Sequence, residues 1–192
     1  ADAALGEAFD RYQRGNVGRY DIFLRAPRSF SPMGNDALAT RGATWSFLRY
    51  ALDRDPAADA GTLSSLVSTG RTGLENLGDA LGTRPVDWMG DWAVSVLLDD
   101  LADGGESRWR QPSWNLRELI PVLRAAQGQP QVDFPLRLLA WPEGTRLGFD
   151  LQPGSAAYPR FGVPPGTTAR ITVEAEDLRE DEVVRLWLTR IR

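Results

Sequence analysis

The sequence predicts an α+β fold, with a helical region over residues 1–128 followed by a small antiparallel β-sandwich-like module over residues 129–192. Apolar residues recur at helical spacing up to Gly128-Gln129-Pro130 and alternate with period two beyond it. The chain is 42% hydrophobic and carries 7 Trp, enough large apolar surface for a core without disulfides.

A first helix is expected from Ala3 to Arg14, with Leu5, Ala8, Phe9 and Tyr12 on one stripe and Gly15 and Gly18 ending it. A short helical piece follows from Tyr20 to Leu24, then an irregular stretch with Pro27, Pro32 and Gly34. The next helix is capped by Asp36 or Thr40, carries Trp45, Leu48 and Leu52 on one face, and stops at Asp55-Pro56. A short helix spans Leu63 to Val67. Thr72 and Glu75 have the spacing of a capping box ahead of Leu74, Leu77 and Leu81, and Gly82 is the C-terminal stop. Pro85 opens a longer helix marked by Trp88, Met89, Trp92, Val96 and Leu97. Ser113 or Asn115 caps the last helix, with Leu116, Leu119, Ile120 and Leu123 inward. Beyond it, Val132 to Ala140, Leu147 to Leu151, Ala169 to Val173 and Val184 to Leu188 alternate as antiparallel strands.

Composition excludes several chemistries. There is no Cys and no His, and all 22 basic residues are Arg. A thiolate nucleophile, an imidazole base or metal ligand and a lysine Schiff base are therefore all missing. The exclusive use of Arg points to a GC-rich bacterial genome. A net charge of −4, with no basic stripe, argues against nucleic acid as a partner. No apolar run has the roughly 20 residues a membrane span needs. The opening Ala1-Asp2-Ala3 suggests a processed mature end or a cut chain.

Three ordered segments carry a family resemblance. They are Arg41-Gly42-Ala43-Thr44-Trp45-Ser46-Phe47-Leu48-Arg49-Tyr50 with Asp53-Arg54, then Thr72-Gly73-Leu74-Glu75-Asn76-Leu77, then Trp88 through Asp99 with its Asp91-Trp92-Ala93 core. In this order they resemble the C-terminal, non-zinc-binding part of the hyicolysin-like bacterial zinc metallopeptidases, a secreted family. Ser113-Trp114-Asn115-Leu116 and the strand-rich tail fit more loosely. The family's chemistry needs two His one helical turn apart, a Glu base and a further ligand. This chain has no His, so no catalytic or metal residue is carried over and no cofactor is implied.

The resemblance implies a non-catalytic, periplasmic, envelope or secreted domain that binds a protein partner or supports an assembly. The alternative is the C-terminal piece of an active peptidase whose zinc helix lies upstream, so that the missing domain is itself the partner. A carbohydrate-binding module or glycosidase, built on aromatics and paired carboxylates, is the third reading.

Arg108, Trp109, Arg110 and Trp114 are the candidate partner-binding residues, because an exposed aromatic beside Arg is a typical hot spot. Arg41 and Arg49 share one helix and either pin a carboxylate or form internal ion pairs with Glu75 or Asp91. The acidic groups Asp99, Asp100 and Asp103, and Glu174, Glu176, Asp177, Glu180, Asp181 and Glu182, are read as solvated loops in preference to Ca²⁺ sites.

Overall fold

The computed structural model describes residues 3–55, 60–101, 106–180 and 182–191. Seven α-helices precede two short strands in these residues: α1 (Ala3–Tyr12), α2 (Arg14–Leu24), α3 (Leu38–Leu52), α4 (Ala60–Ser68), α5 (Gly73–Leu81), α6 (Pro85–Leu98), α7 (Leu116–Ala126), β1 (Leu138–Ala140) and β2 (Tyr158–Arg160). A 3-10 turn, Ser107–Trp109, lies between α6 and α7. None of these helices is long and apolar enough to cross a membrane.

The core is aromatic and sits where α2, α3 and α6 meet. Trp92 of α6 stacks on Phe23 of α2, with ring centroids 5.7 Å apart, and takes the edge of Phe47 of α3 at 5.7 Å. Tyr20, Tyr50, Leu24, Val96 and Ile120 belong to the same buried cluster. Such aromatic pairs each add about 0.5–1.5 kcal/mol beyond the area they bury.

Gly42 sets the closeness of the α2–α3 crossing. A Cβ on it would fall 2.3 Å from the main-chain carbon of Arg19, so only glycine lets the two backbones approach this far. Gly15 and Gly18, expected to end a helix, instead lie inside α2. The break falls at Gln13, and packing on α3 outweighs the low helix propensity of the two glycines.

Several termini follow the sequence rules. Pro85 stands in the first turn of α6, Gly82 ends α5 in the left-handed conformation, and Asn115 Oδ1 accepts the Glu118 N–H at 3.0 Å ahead of α7. Others do not. Neither Asp36 nor Thr40 caps α3. Its N-cap is Ala37, and Asp36 is instead paired with Arg41. The Thr72 side chain makes no cap bond and Glu75 turns to Arg71, so the capping box is not formed. Pro56, expected to stop α3, lies outside the described residues, and α3 ends at Leu52.

The α+β description holds loosely, but the antiparallel sandwich expected over residues 129–192 is not formed among the described residues. The strand pair here is parallel, with Leu138 opposite Tyr158 and Ala140 opposite Arg160. The reason lies in the connection. The returning chain is tied to residues 27 and 28 through Gln152 N–H and Ser155 Oγ to Arg28 O (3.1 and 2.9 Å) and Ala156 N–H to Pro27 O (3.3 Å). It therefore re-enters beside β1 in the same direction. Tyr158 then buries its ring and donates its hydroxyl to Ala93 O at 2.8 Å.

The described residues after Arg160 contain no further strand. Their alternation is real, but no second sheet covers it, and Leu186 and Leu188 remain 69% and 75% exposed. Trp187 instead reaches back to α6, where a Cβ on Gly90 would fall 2.5 Å from its Cη2.

Candidate functional site

Residues 106–114 cross the face formed by α3 and α6, and nearly every bond that holds this segment runs through its backbone or its inward side chains. Tyr50 at the end of α3 donates its hydroxyl to Arg108 O at 2.5 Å. Arg54 lies over the Tyr50 ring, 3.7 Å from its centroid, and Nη2 donates to the carbonyls of Ser107, Arg108 and Arg110 at 3.0, 2.7 and 2.7 Å. Asp53 accepts from Ser113 N–H at 3.3 Å and also from the Ser113 hydroxyl. These side chains stand at or just past the C-terminus of α3, close enough to reach the loop.

Gln111 anchors the segment in the interior. It is 6% exposed. Its main-chain N–H donates to Asp99 Oδ1 at 2.8 Å, its Nε2 donates to Ser95 Oγ at 2.9 Å, and its Oε1 accepts from Ser46 Oγ at 3.3 Å. Trp92 Nε1 donates to Ser46 Oγ at 3.1 Å, and Ser95 Oγ donates to Trp92 O at 2.7 Å. A buried polar network of this kind is stable because its members satisfy one another.

Burial shapes the acid–base character of these groups. It pushes the Asp99 carboxyl up to about 6, opposed by the Gln111 N–H and reinforced by neighbouring Asp100. It also pushes Tyr50 up to about 12, opposed by the Arg54 cation, and raises Tyr20 further. Arg117 donates to the main-chain oxygens of Asp99 (2.6 Å) and Leu97, and burial lowers its affinity for the proton.

The expected partner-binding residues separate into two groups. Arg108 and Arg110 are exposed on the outer side of the segment. Arg108 pairs with Glu106 at 2.7 Å, faces Asp91 at 3.9 Å and covers the Trp109 ring at 4.8 Å. Trp109 is half-buried and donates Nε1 to Asp91 at 3.2 Å. Trp114 lies elsewhere, packed on Phe9 and Trp45 at 5.6 and 6.4 Å, with its Nε1 buried and unbonded.

Arg41 pairs with Asp36 at 2.6 Å on the surface. Arg49 is half-buried, with a buried Nε that makes no hydrogen bond. Glu75 faces Arg71 at 3.4 Å, and Asp91 serves the loop. The structure thus brings neither arginine to Glu75 or Asp91. The buried ion pair that sequence reasoning missed is Arg124 with Asp21, Nη1 to Oδ2 at 3.0 Å, linking α7 to α2.

Asp103, Gly104, Gly105 and Asp181 lie outside the described residues. Asp100 adopts a left-handed backbone. Glu174 and Glu176 face Arg146 at 3.0 and 3.7 Å, and Glu182 faces Arg179 at 3.2 Å. Among the described residues no three carboxylates come together in a way that could hold a metal. With no His or Cys available either, the residues present do not fit the zinc site of the resembled family.

Beside the loop lies an open cleft of about 450 Å³, walled by Tyr50, Arg54 and Trp88 and rimmed by Arg108 and Arg110. Tyr50, Asp53, Arg54 and Gln111 were not singled out as site residues by sequence reasoning. Tyr50, Asp53 and Arg54 do stand in the segment that carries the family resemblance, which was the available signal. Compared with known proteins, the chain matches no protein family, no curated protein and no solved structure.

Proposed function

We propose that this chain is a non-catalytic, extracytoplasmic bacterial domain with a metallopeptidase-like scaffold that binds a protein partner through residues 106–114. One observation carries the reading. The segment is fixed from beneath by Tyr50, Asp53, Arg54 and Gln111, while Arg108 and Arg110 stay exposed. A surface ordered before binding loses little conformational entropy on association, so its contacts appear in the affinity. Arginine beside an aromatic ring suits such a role. The scaffold and the location outside the cytoplasm rest on the resemblance of the three segments quoted above.

The test has two arms. The purified chain, supplied with zinc, leaves casein uncut; zinc-dependent cleavage by this chain alone overturns the reading. An Arg108→Glu/Arg110→Glu variant loses a partner that co-purifies stoichiometrically with the wild-type chain from the producing bacterium. Retention of that partner overturns the assignment of the loop.

A second reading has its own observation. No residue of α1 is buried, and Leu5 and Tyr12 on its apolar stripe are exposed. Phe9 alone of that stripe packs on the core, and the exposed remainder is a surface that an upstream catalytic domain would cover. Reading the gene upstream of Ala1 tests this: an in-frame His-Glu-x-x-His helix supports it, and an immediate start codon with a signal peptide removes it.

A further inference from the structure

We infer that the cleft between α3, α6 and residues 106–112 takes a carboxylate-bearing peptide segment, an Asp or Glu next to an apolar side chain. The inference rests on the loop reading above and names the chemistry of the partner. It follows from which hydrogen-bonding groups of the cleft are already engaged and which are not.

The carboxylates at the cleft are engaged. Asp53 accepts from Ser113, and Asp91 accepts from Trp109 Nε1 while facing Arg108. The guanidinium donors are only partly engaged. Arg54 is committed to the fold, giving Nη2 to three neutral carbonyls and Nη1 to Tyr50 O at 3.5 Å, and its unpartnered Nε is buried. Arg110 is exposed on the rim, and its side chain makes no hydrogen bond or ion pair among the described residues. A guanidinium has five N–H donors in a planar fork that matches a carboxylate. The exposed Arg110 guanidinium therefore keeps a planar fork of donors open at the cleft rim, and a carboxylate matches it.

Size and walls narrow the class. About 450 Å³ is far more than an inorganic anion fills and lies within the range of organic ligand sites. The half-buried Trp88 offers an apolar wall beside the arginines. A carboxylate on Arg110 with a neighbouring apolar side chain against Trp88 uses both. The net charge of −4 opposes long-range attraction of an acidic partner, so affinity comes from these contacts and not from steering.

The test is fluorescence anisotropy with a fluorescein-labelled Glu-Phe-Glu peptide and its Gln-Phe-Gln counterpart. The wild-type chain binds the first at least about tenfold more tightly than the second, a difference of about 1.4 kcal/mol. Arg110→Ala, whose side chain makes no hydrogen bond or ion pair among the described residues, removes that preference, and Arg170→Ala in the exposed tail leaves it intact. Equal binding of the two peptides, an unchanged preference in Arg110→Ala, or full competition by millimolar phosphate overturns the inference. If the peptides fail while Arg108→Glu/Arg110→Glu still releases the native partner, the carboxylate chemistry is wrong and the loop reading stands. If the partner is also retained, both fall.

Discussion

The main-chain N–H of Gln111 donates to Asp99 Oδ1 across 2.8 Å in the interior. This bond joins the end of α6 to the loop that carries Arg108 and Arg110. It also places a carboxyl group where burial resists its ionisation.

Asp99 therefore makes stability depend on pH. Its carboxyl is raised to about 6 in the folded chain, above the ordinary value of 3.8 that the unfolded chain keeps. Between these values the folded state binds more protons than the unfolded state. The stabilisation from this group is fully present below pH 3.8 and is lost as pH rises through about 6. Asp99→Asn keeps an acceptor for Gln111 and removes the titration. Urea unfolding should show the variant gaining stability relative to wild type as pH rises from the lower value to the upper. A constant difference across that window contradicts the assignment.

Gln111→Ala should cost about 1–3 kcal/mol, because it takes away the acceptor of the buried Ser46 hydroxyl and one donor to Ser95 Oγ. Hydrogen exchange distinguishes this from a general loss of stability. Amides of residues 107–114 should exchange faster at denaturant concentrations where α2 and α3 stay protected.

Two glycines on adjacent helices should respond in opposite directions. Gly42→Ala forces a methyl to within 2.3 Å of Arg19 and should destabilise by about 1–3 kcal/mol or more. Gly18→Ala meets nothing within 4 Å and should stabilise by about 0.4–1 kcal/mol. Thermal melts of the two variants check both signs.

Arg124 and Asp21 are both buried, and removing Arg124 leaves Asp21 with the half-exposed Arg25 as its remaining ion-pair partner. Arg124→Met should cost at most about 3–5 kcal/mol, the range for a buried charge left with no partner. Arg124→Met combined with Asp21→Leu should recover much of that loss, although Arg25 loses its own partner and Pro130 O loses a donor. An additive loss in the double variant contradicts the pairing.

The helical half was legible because local rules and packing agree there. Pro85, Gly82 and Asn115 stand at helix ends, and the Trp92 and Leu77 stripes face inward. Gly15 and Gly18 misled because an isolated glycine reads as a stop, while the close approach at Gly42 is a tertiary fact with no local signal. In the tail, period-two alternation shows that a chain is extended but not which neighbour it pairs with. The parallel pairing of β1 with β2 depends on hydrogen bonds to residues 27 and 28, which lie far away in sequence. The exposure of Arg108 and Arg110 was legible from the loop composition. Trp114 was not, since its burial depends on Phe9 and Trp45 from other helices.

The most direct test of the central claim is site-specific photo-cross-linking in the native host. A benzophenone amino acid replaces Ser107, whose side chain is exposed beside the cleft, or Val122 on the outer face of α7 as a control. The account predicts a discrete cross-linked partner from position 107 and none from position 122. Cross-linking of the same species at both positions, or at position 122 alone, would contradict a binding role for the loop.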